Sequence, residues 1–165
     1  VTLLALVGLF IHEPGHLLLG PIGEFIGVMG GSLFEVGVPL VAAALCFRRR
    51  RFTAAWGCIV FAGFSLLSVS RYIGDARVQK LPLWGGLGMG GVIHDWNFIL
   101  TRLGWLEYDT GIAKLVYLAG AGIMIGGTLG LTIRAERWIL RSIKTTAPPP
   151  ASTERLSPSR EKPPA

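Results

Sequence analysis

The chain has 165 residues, of which 51% are hydrophobic and only 16% are charged, and its mean hydropathy is +0.54. Since an ordinary soluble domain carries about 25% charged residues, this composition argues against a water-soluble protein and favours a membrane protein. The net charge of +6 comes from Lys and Arg that collect in one cluster and towards the C-terminus, and we expect no nucleic-acid partner. The two cysteines lack CxxC spacing and do not indicate a function.

Four apolar segments approach the length of a membrane-spanning helix, which needs about 20 residues. They comprise residues 1–19, 32–47, 52–70 and 112–133. Because the chain begins with Val1 and not with Met, we expect the first segment to be truncated at its start. The sequence therefore predicts an all-α membrane protein with about four transmembrane helices.

Between the third and fourth segments, residues 81–106 are apolar but rich in glycine. Irregular backbone at membrane depth must be buried in protein or line a cavity, so this stretch is interpreted as a re-entrant or interfacial segment. Its second half, "HDWNFILTRLGWL" (94–106), predicts a short helix that begins near His94 or Asp95. The proline-rich residues 145–165 predict a disordered tail after a helical transmembrane domain, residues 1–144.

Basic residues indicate the orientation, because Lys and Arg of short loops concentrate on the cytoplasmic side. Eleven of the 16 lie either in the Arg48–Arg51 cluster or from Arg134 onwards. If both groups lie in the cytoplasm, successive spans cross the membrane in alternating directions. We therefore expect an integral protein of the bacterial inner (plasma) membrane with a cytoplasmic tail. Residues 10–20 and the loop 71–111 then share the extracytoplasmic side.

The sequence "HEPGH" (His12 to His16) lies inside the first apolar segment. Histidines four residues apart emerge on one face of a helix, where both can bind one metal ion at about 2.0–2.1 Å. Glu13, next to the first histidine, is suited to act as general base on a water at that metal. Imidazole and carboxylate ligands around an open fourth position favour Zn²⁺.

Ionisable side chains inside a bilayer are costly, at about 2.5–3.5 kcal/mol or more for each charge. Three of them within five residues therefore need a compensating partner. A bound metal ion is the favoured interpretation, and a hydrogen-bonded cluster of core side chains is the alternative.

In its hydrophobic surroundings, "HEPGH" resembles the "HExGH" motif of the site-2 protease class of intramembrane zinc metallopeptidases. The four-span layout, with "GGSLFE" (30–35) and "HDW" (94–96), also resembles a group of uncharacterised bacterial membrane proteins related to that class. The resemblance implies that His12 and His16 bind zinc and that Glu13 is the catalytic acid/base.

Two features depart from that class. Its members usually complete the zinc site with an aspartate in a later "LDG"-like motif, and this chain contains no LDG. Pro14 stands where a leucine-like residue is more usual, and it removes a backbone hydrogen bond and predicts a helix kink above Phe10. The third ligand must therefore come from another segment.

His94 is the first choice for the third ligand, because it is the one remaining histidine and is expected on the same side of the membrane as the motif. Asp95 is the next choice, although an aspartate there is also a common helix N-cap or a partner that orients a ligating histidine. Asp75 is a further candidate, with an interfacial salt bridge to Arg71 or Arg77 as its alternative.

Two glutamates near the second span have more ordinary explanations. Glu35 is expected to face protein rather than lipid, either as a partner of a ligating histidine or turned towards the outer surface. Glu24 is expected in a solvated turn.

The leading hypothesis is a polytopic zinc metallopeptidase that hydrolyses peptide bonds in membrane or membrane-proximal substrates. The metal would polarise the scissile carbonyl, and Glu13 would carry the proton to the leaving amine. The alternatives are a non-catalytic membrane protein with a structural or sensing metal site, and a small transporter whose ionisable groups form an ion path. The sequence gives neither the substrate nor the oligomeric state.

Overall fold

The computed structural model describes residues 3–81 and 94–146. Short 3-10 helices at Gly20–Ile22 and Leu106–Tyr108 precede the second and the last of its α-helices. No strand occurs in the described ranges, which confirms the all-α class. The α-helices are α1 Leu3–Leu19, α2 Glu24–Arg48, α3 Phe52–Gly74, α4 Asp95–Leu103 and α5 Asp109–Thr146.

Three stretches are long and apolar enough to cross a membrane: α2, α3 and Leu106–Ser142, which contains most of α5. They coincide with the second, third and fourth predicted spans and are compatible with an integral membrane protein. With 17 residues, α1 is a shorter apolar helix, so a span at that position stays a prediction. The short helix expected at 94–106 is confirmed as α4, whereas most of the predicted re-entrant segment (82–93) and the tail from residue 147 onwards lie outside the described residues.

Three helices, α2, α3 and α5, are longer than the apolar segments that predicted them. α2 begins at Glu24 rather than near Ser32, and α5 continues past Ile133 to Thr146. The added stretches contain charged residues or several glycines, which lower the hydropathy without interrupting the backbone hydrogen bonds. A hydropathy pattern therefore finds the apolar middle of such a helix and misses its ends.

α1 and α2 cross at two glycines. A Cβ atom on Gly15 would overlap the carbonyl group of Gly30, and a Cβ atom on Gly30 would overlap that of Gly15. Because no side chain fits between the two backbones, the helices are in close contact, as small residues permit in membrane proteins. The glycine of the HEPGH motif thus has a packing role, and it keeps the flanking histidines against α2.

α3 and α5 are antiparallel and also approach each other at glycines. Gly63 of α3 lies against Gly120 and Met124 in the middle of α5. Near the end of α3, Gly74 lies next to Ala113, close to the start of α5. The helices therefore pack in the order α1, α2, α3 and α5.

The Arg48–Arg51 cluster lies at one end of the bundle and the motif lies at the other. Arg48–Arg51 forms the turn between α2 and α3, and Arg134 of α5 lies at the same end, with its guanidinium 5.0 Å from the Phe52 ring. α1 ends and α2 begins at the opposite end. Gly31, which contacts both motif histidines, is 17 positions before Arg48 on α2, or about 25 Å along the helix axis.

Pro14 does not line the site. α1 continues through Pro14 to Leu19. Since Pro14 is two positions from each motif histidine, it lies on the opposite face of the helix, and it is exposed. Pro14, which stands where the site-2 protease class more usually has a leucine-like residue, therefore leaves the histidine face of α1 unobstructed.

Candidate metal centre

Two histidines of α1 and an aspartate of α4 converge between the helices. His12 Nε2 lies 3.2 Å from Asp95 Oδ2, and His16 Nε2 lies 3.3 Å from the same oxygen. The three candidate ligand atoms lie within 4.8 Å of one another. His12 and Asp95 are buried, whereas His16 is partly accessible. This group could hold a metal ion.

Contacts on the far side of each ring determine which nitrogen faces Asp95. His12 Nδ1 lies 3.2 Å from Glu35 Oε2, and His16 Nδ1 lies 2.9 Å from the carbonyl oxygen of Gly27. Both oxygens are acceptors, so each Nδ1 donates a proton, and a neutral ring then directs its Nε2 lone pair at Asp95. Three electron-rich atoms around one point repel one another unless a cation, either a metal ion or shared protons, lies between them.

Two of the three separations within the group match those in a small four-coordinate site, and all three candidate ligand atoms lie within 4.8 Å of one another. Ligands bound at about 2.0–2.1 Å in a tetrahedron are about 3.3–3.4 Å apart, close to the 3.2 and 3.3 Å between each Nε2 atom and Asp95 Oδ2. Room beside the histidines comes from Gly31 of α2, since a Cβ atom there would overlap Nε2 of both rings. The residues present therefore fit a metal ion.

One face of α2 supplies three parts of this arrangement. Gly27, Gly31 and Glu35 are spaced by four residues and so lie on the same side of the helix. They provide a carbonyl acceptor, an open space and a carboxylate acceptor, respectively. Outer acceptors of this kind fix the orientation of histidine ligands in metal sites. Of the three, only Glu35 was predicted from the sequence as a partner of a ligating histidine. The spacing of four residues between these positions is the sequence signal that could have indicated the two glycines.

Asp95 is held by the end of α3 and the start of α4. Its N–H donates to the Tyr72 hydroxyl oxygen over 3.1 Å. The N-cap of α4 is the preceding residue, His94, whose Nδ1 accepts the Asn97 N–H over 3.2 Å. Asp95 is therefore not the cap, and its carboxylate is free to face α1. No sequence pattern pointed to Tyr72.

Asp95 is ionised in this setting. Burial works against its negative charge, but hydrogen bonds from His12 and His16, which donate to Asp95 when their rings are protonated, outweigh burial and hold the Asp95 pKa below its ordinary value. A carboxylate ligand must be deprotonated to bind a metal ion. The charge state of Asp95 therefore matches the role suggested by its position.

His94, the first choice for the third ligand, lies outside the group. Its Nε2 is 3.5 Å from Asp75 Oδ2, and its ring packs against Tyr72 in a tilted arrangement, with 4.2 Å between the ring centroids. Burial lowers the pKa of His94 despite the charge of Asp75 nearby, so the ring is neutral. Of the two neighbouring candidates, the structure brings Asp95 and not His94 to the motif.

Asp75, the remaining candidate, binds backbone instead of joining the group. Its two carboxylate oxygens accept the N–H groups of Lys80 and Leu81, each over 2.9 Å. Burial works against its charge, but these N–H groups outweigh burial and lower the Asp75 pKa. Arg77, one of its two predicted salt-bridge partners, binds Asp109 at 2.7 Å.

Glu13 lies beside His12 on α1 and is half-buried. Within residues 3–81 and 94–146, its carboxylate forms no hydrogen bond or ion pair, although it interacts electrostatically with Tyr72 of α3. Glu24 differs, because it is paired with Arg102 at an exposed site over 3.0 Å. Glu13 is thus adjacent in sequence to a candidate ligand, and its carboxylate is not paired with another group in the described ranges.

Comparison with protein-family models, with curated proteins and with solved structures found no match. The indications of function are therefore the residues of the site and the apolar helices that surround it. Those residues are two histidines and a carboxylate at the end of the bundle remote from the arginine turn.

Proposed function

We propose that this chain is an integral membrane zinc metallopeptidase of the site-2 protease type. The observation that carries the proposal is the convergence of His12 Nε2, His16 Nε2 and Asp95 Oδ2 within 4.8 Å. These atoms come from helices far apart in the sequence, and they meet inside an apolar bundle where an uncompensated ionisable group is expensive.

The donor set favours zinc. Two imidazole nitrogens and one carboxylate oxygen are typical of catalytic zinc sites, which keep a fourth position open. Mg²⁺ and Ca²⁺ prefer oxygen ligands throughout, and the group offers a single carboxylate. A zinc ion held here would polarise a scissile carbonyl and lower the pKa of water to about 7.

The side chains around the group then have separate roles. His12, His16 and Asp95 would hold the ion, while Glu35 keeps the His12 ring in place. Glu13 would take a proton from the attacking water and pass it to the leaving amine, as a general base and acid in reach of the site does. Its half-buried carboxylate, free of other partners in the described ranges, is suited to that task.

The donor set also agrees with what the resemblance implies. Enzymes of the site-2 protease class usually combine the two motif histidines with an aspartate from a later LDG-like motif. This chain lacks LDG, yet Asp95 brings a carboxylate to both histidines from α4. We infer that "HDW" replaces "LDG" as the source of the third ligand.

The positive-inside rule gives the location of the reaction. With the Arg48–Arg51 turn in the cytoplasm, the site lies about 25 Å away along α2, in the outer part of a hydrocarbon layer about 30 Å thick. The substrates are then peptide bonds of membrane or membrane-proximal proteins near the extracytoplasmic face of the bacterial inner membrane.

Dependence of peptide hydrolysis on zinc tests this function. The purified full chain, reconstituted in lipid vesicles, is assayed against a panel of labelled membrane-spanning peptides before chelation, after chelation and after addition of Zn²⁺. We expect hydrolysis that disappears on chelation and returns with Zn²⁺. A chain that binds zinc and cleaves no peptide in the panel would support a structural or sensing metal site instead.

A further inference from the structure

His94 is almost completely buried, with 3% of its surface exposed, although it lies outside the metal-binding group. Its Nδ1 accepts the Asn97 N–H, so the proton of the neutral ring is on Nε2. That N–H lies 3.5 Å from Asp75 Oδ2, and it forms no hydrogen bond with the described residues. A buried donor is costly unless it is matched with an acceptor, and Asp75 is the acceptor that faces it.

Asp75 is a rigid partner for this ring. Its carboxylate is fixed by the N–H groups of Lys80 and Leu81 just beyond the end of α3. One turn earlier on α3, the Tyr72 ring packs against His94 at a tilt of 35°. The His94 side chain is therefore enclosed by two residues of the same helix end.

The backbone that follows His94 is fastened to the same end of α3. The Asp95 N–H donates to the Tyr72 hydroxyl, and Asn97 Nδ2 donates to the Ala76 carbonyl oxygen over 2.8 Å. The Asp95 side chain extends from this fastened backbone to the histidines of α1. The position of the α4 N-terminus on α3 thus determines where Asp95 Oδ2 lies.

We propose that His94 is a positioning residue for the third ligand: enclosed between the end of α3 and the start of α4, with its Nε2 facing Asp75, it sets Asp95 Oδ2 against His12 and His16. The inference rests on the proposed metal centre but not on peptidase activity. Metal–ligand distances tolerate only about 0.2 Å, so a small displacement of the α4 N-terminus removes one of three ligands.

The test separates the capping role of His94 from its contact with Asp75. His94→Asn keeps a good helix cap but removes the N–H that faces Asp75, and Asp75→Asn removes the charge from the other side. We expect each variant to weaken Zn²⁺ binding by about 10–100-fold, as loss of a residue behind a metal ligand does. The double variant should bind as either single variant does, because both changes break one contact.

Two further measurements exclude a general loss of stability. The visible spectrum of the Co²⁺-loaded variants should move towards that of Asp95→Ala, since Co²⁺ absorption reports which ligands are bound. Glu24→Gln breaks the exposed ion pair to Arg102, also on α4, and should bind Zn²⁺ as the wild type does. A His94→Asn chain with wild-type Zn²⁺ affinity and Co²⁺ spectrum overturns the inference, as do losses that multiply in the double variant.

These outcomes differ from a failure of the metal centre itself. If the wild type and His12→Ala bind Zn²⁺ equally, the ion is not bound by the motif, and the proposed function fails. If only His12→Ala loses Zn²⁺ and His94→Asn keeps it, the centre stands and the role of His94 is contradicted.

Discussion

Glu13→Gln should leave the metal content of the chain unchanged and lower the rate of peptide hydrolysis by about 10²–10⁴-fold, the usual contribution of a general acid/base. Glutamine has nearly the same shape as glutamate but cannot accept the proton of the attacking water. Since the Glu13 carboxylate has no hydrogen-bond or ion-pair partner in the described ranges, its loss should not disturb the fold. Turnover and zinc content are measured on the same purified samples.

Glu24→Gln is the matched control for this variant. Glu24 is a glutamate at the same end of the bundle, paired with Arg102 and exposed, and its replacement should keep the wild-type rate. A Glu13→Gln chain that still hydrolyses peptides would show that another group accepts the proton. A Glu13→Gln chain that loses zinc would instead assign Glu13 to metal binding.

Gly31→Ala should abolish tight metal binding although it adds a single methyl group. The added Cβ would overlap the Nε2 atoms of His12 and His16, which are the atoms that face Asp95. We expect Zn²⁺ affinity to fall by at least about 100-fold, the upper end of what changes behind a metal ligand cost. Competition with a chromophoric chelator measures the affinity.

Gly37→Ala provides the control on the same helix. A Cβ atom on Gly37 meets nothing within 4 Å, so this variant should bind Zn²⁺ as the wild type does. Both changes replace glycine by a better helix former, so helix propensity does not distinguish them. Wild-type affinity in Gly31→Ala would mean that the two histidines do not converge on this face of α2.

The motif half of the site could be predicted from the sequence, because it depends on local geometry. Histidines four residues apart share a helix face wherever the helix is placed, and His12 and His16 do so. The choice between His94 and Asp95 could not be made in the same way. Neighbouring residues at a helix start point in different directions, and which of them faces α1 depends on how α4 is fastened to α3.

The same division applies to the fold. Apolar length predicted the middle of α2, α3 and α5, since hydropathy determines which segments a bilayer can hold. The contact between Gly15 and Gly30 could not be predicted in this way. A glycine in a membrane helix indicates that another helix packs closely, but it does not indicate which one. That contact also adds a second role to the motif, since Gly15 serves the crossing of α1 with α2 while His12 and His16 belong to the candidate metal group.

Metal analysis of the purified chain tests whether His12, His16 and Asp95 bind one metal ion. The wild type, Asp95→Ala and Glu24→Gln are loaded with Zn²⁺, freed of excess ion and compared by elemental analysis. We expect one zinc per chain in the wild type and in Glu24→Gln, and a large loss in Asp95→Ala. A wild type without zinc, or an Asp95→Ala chain with as much zinc as the wild type, would contradict it.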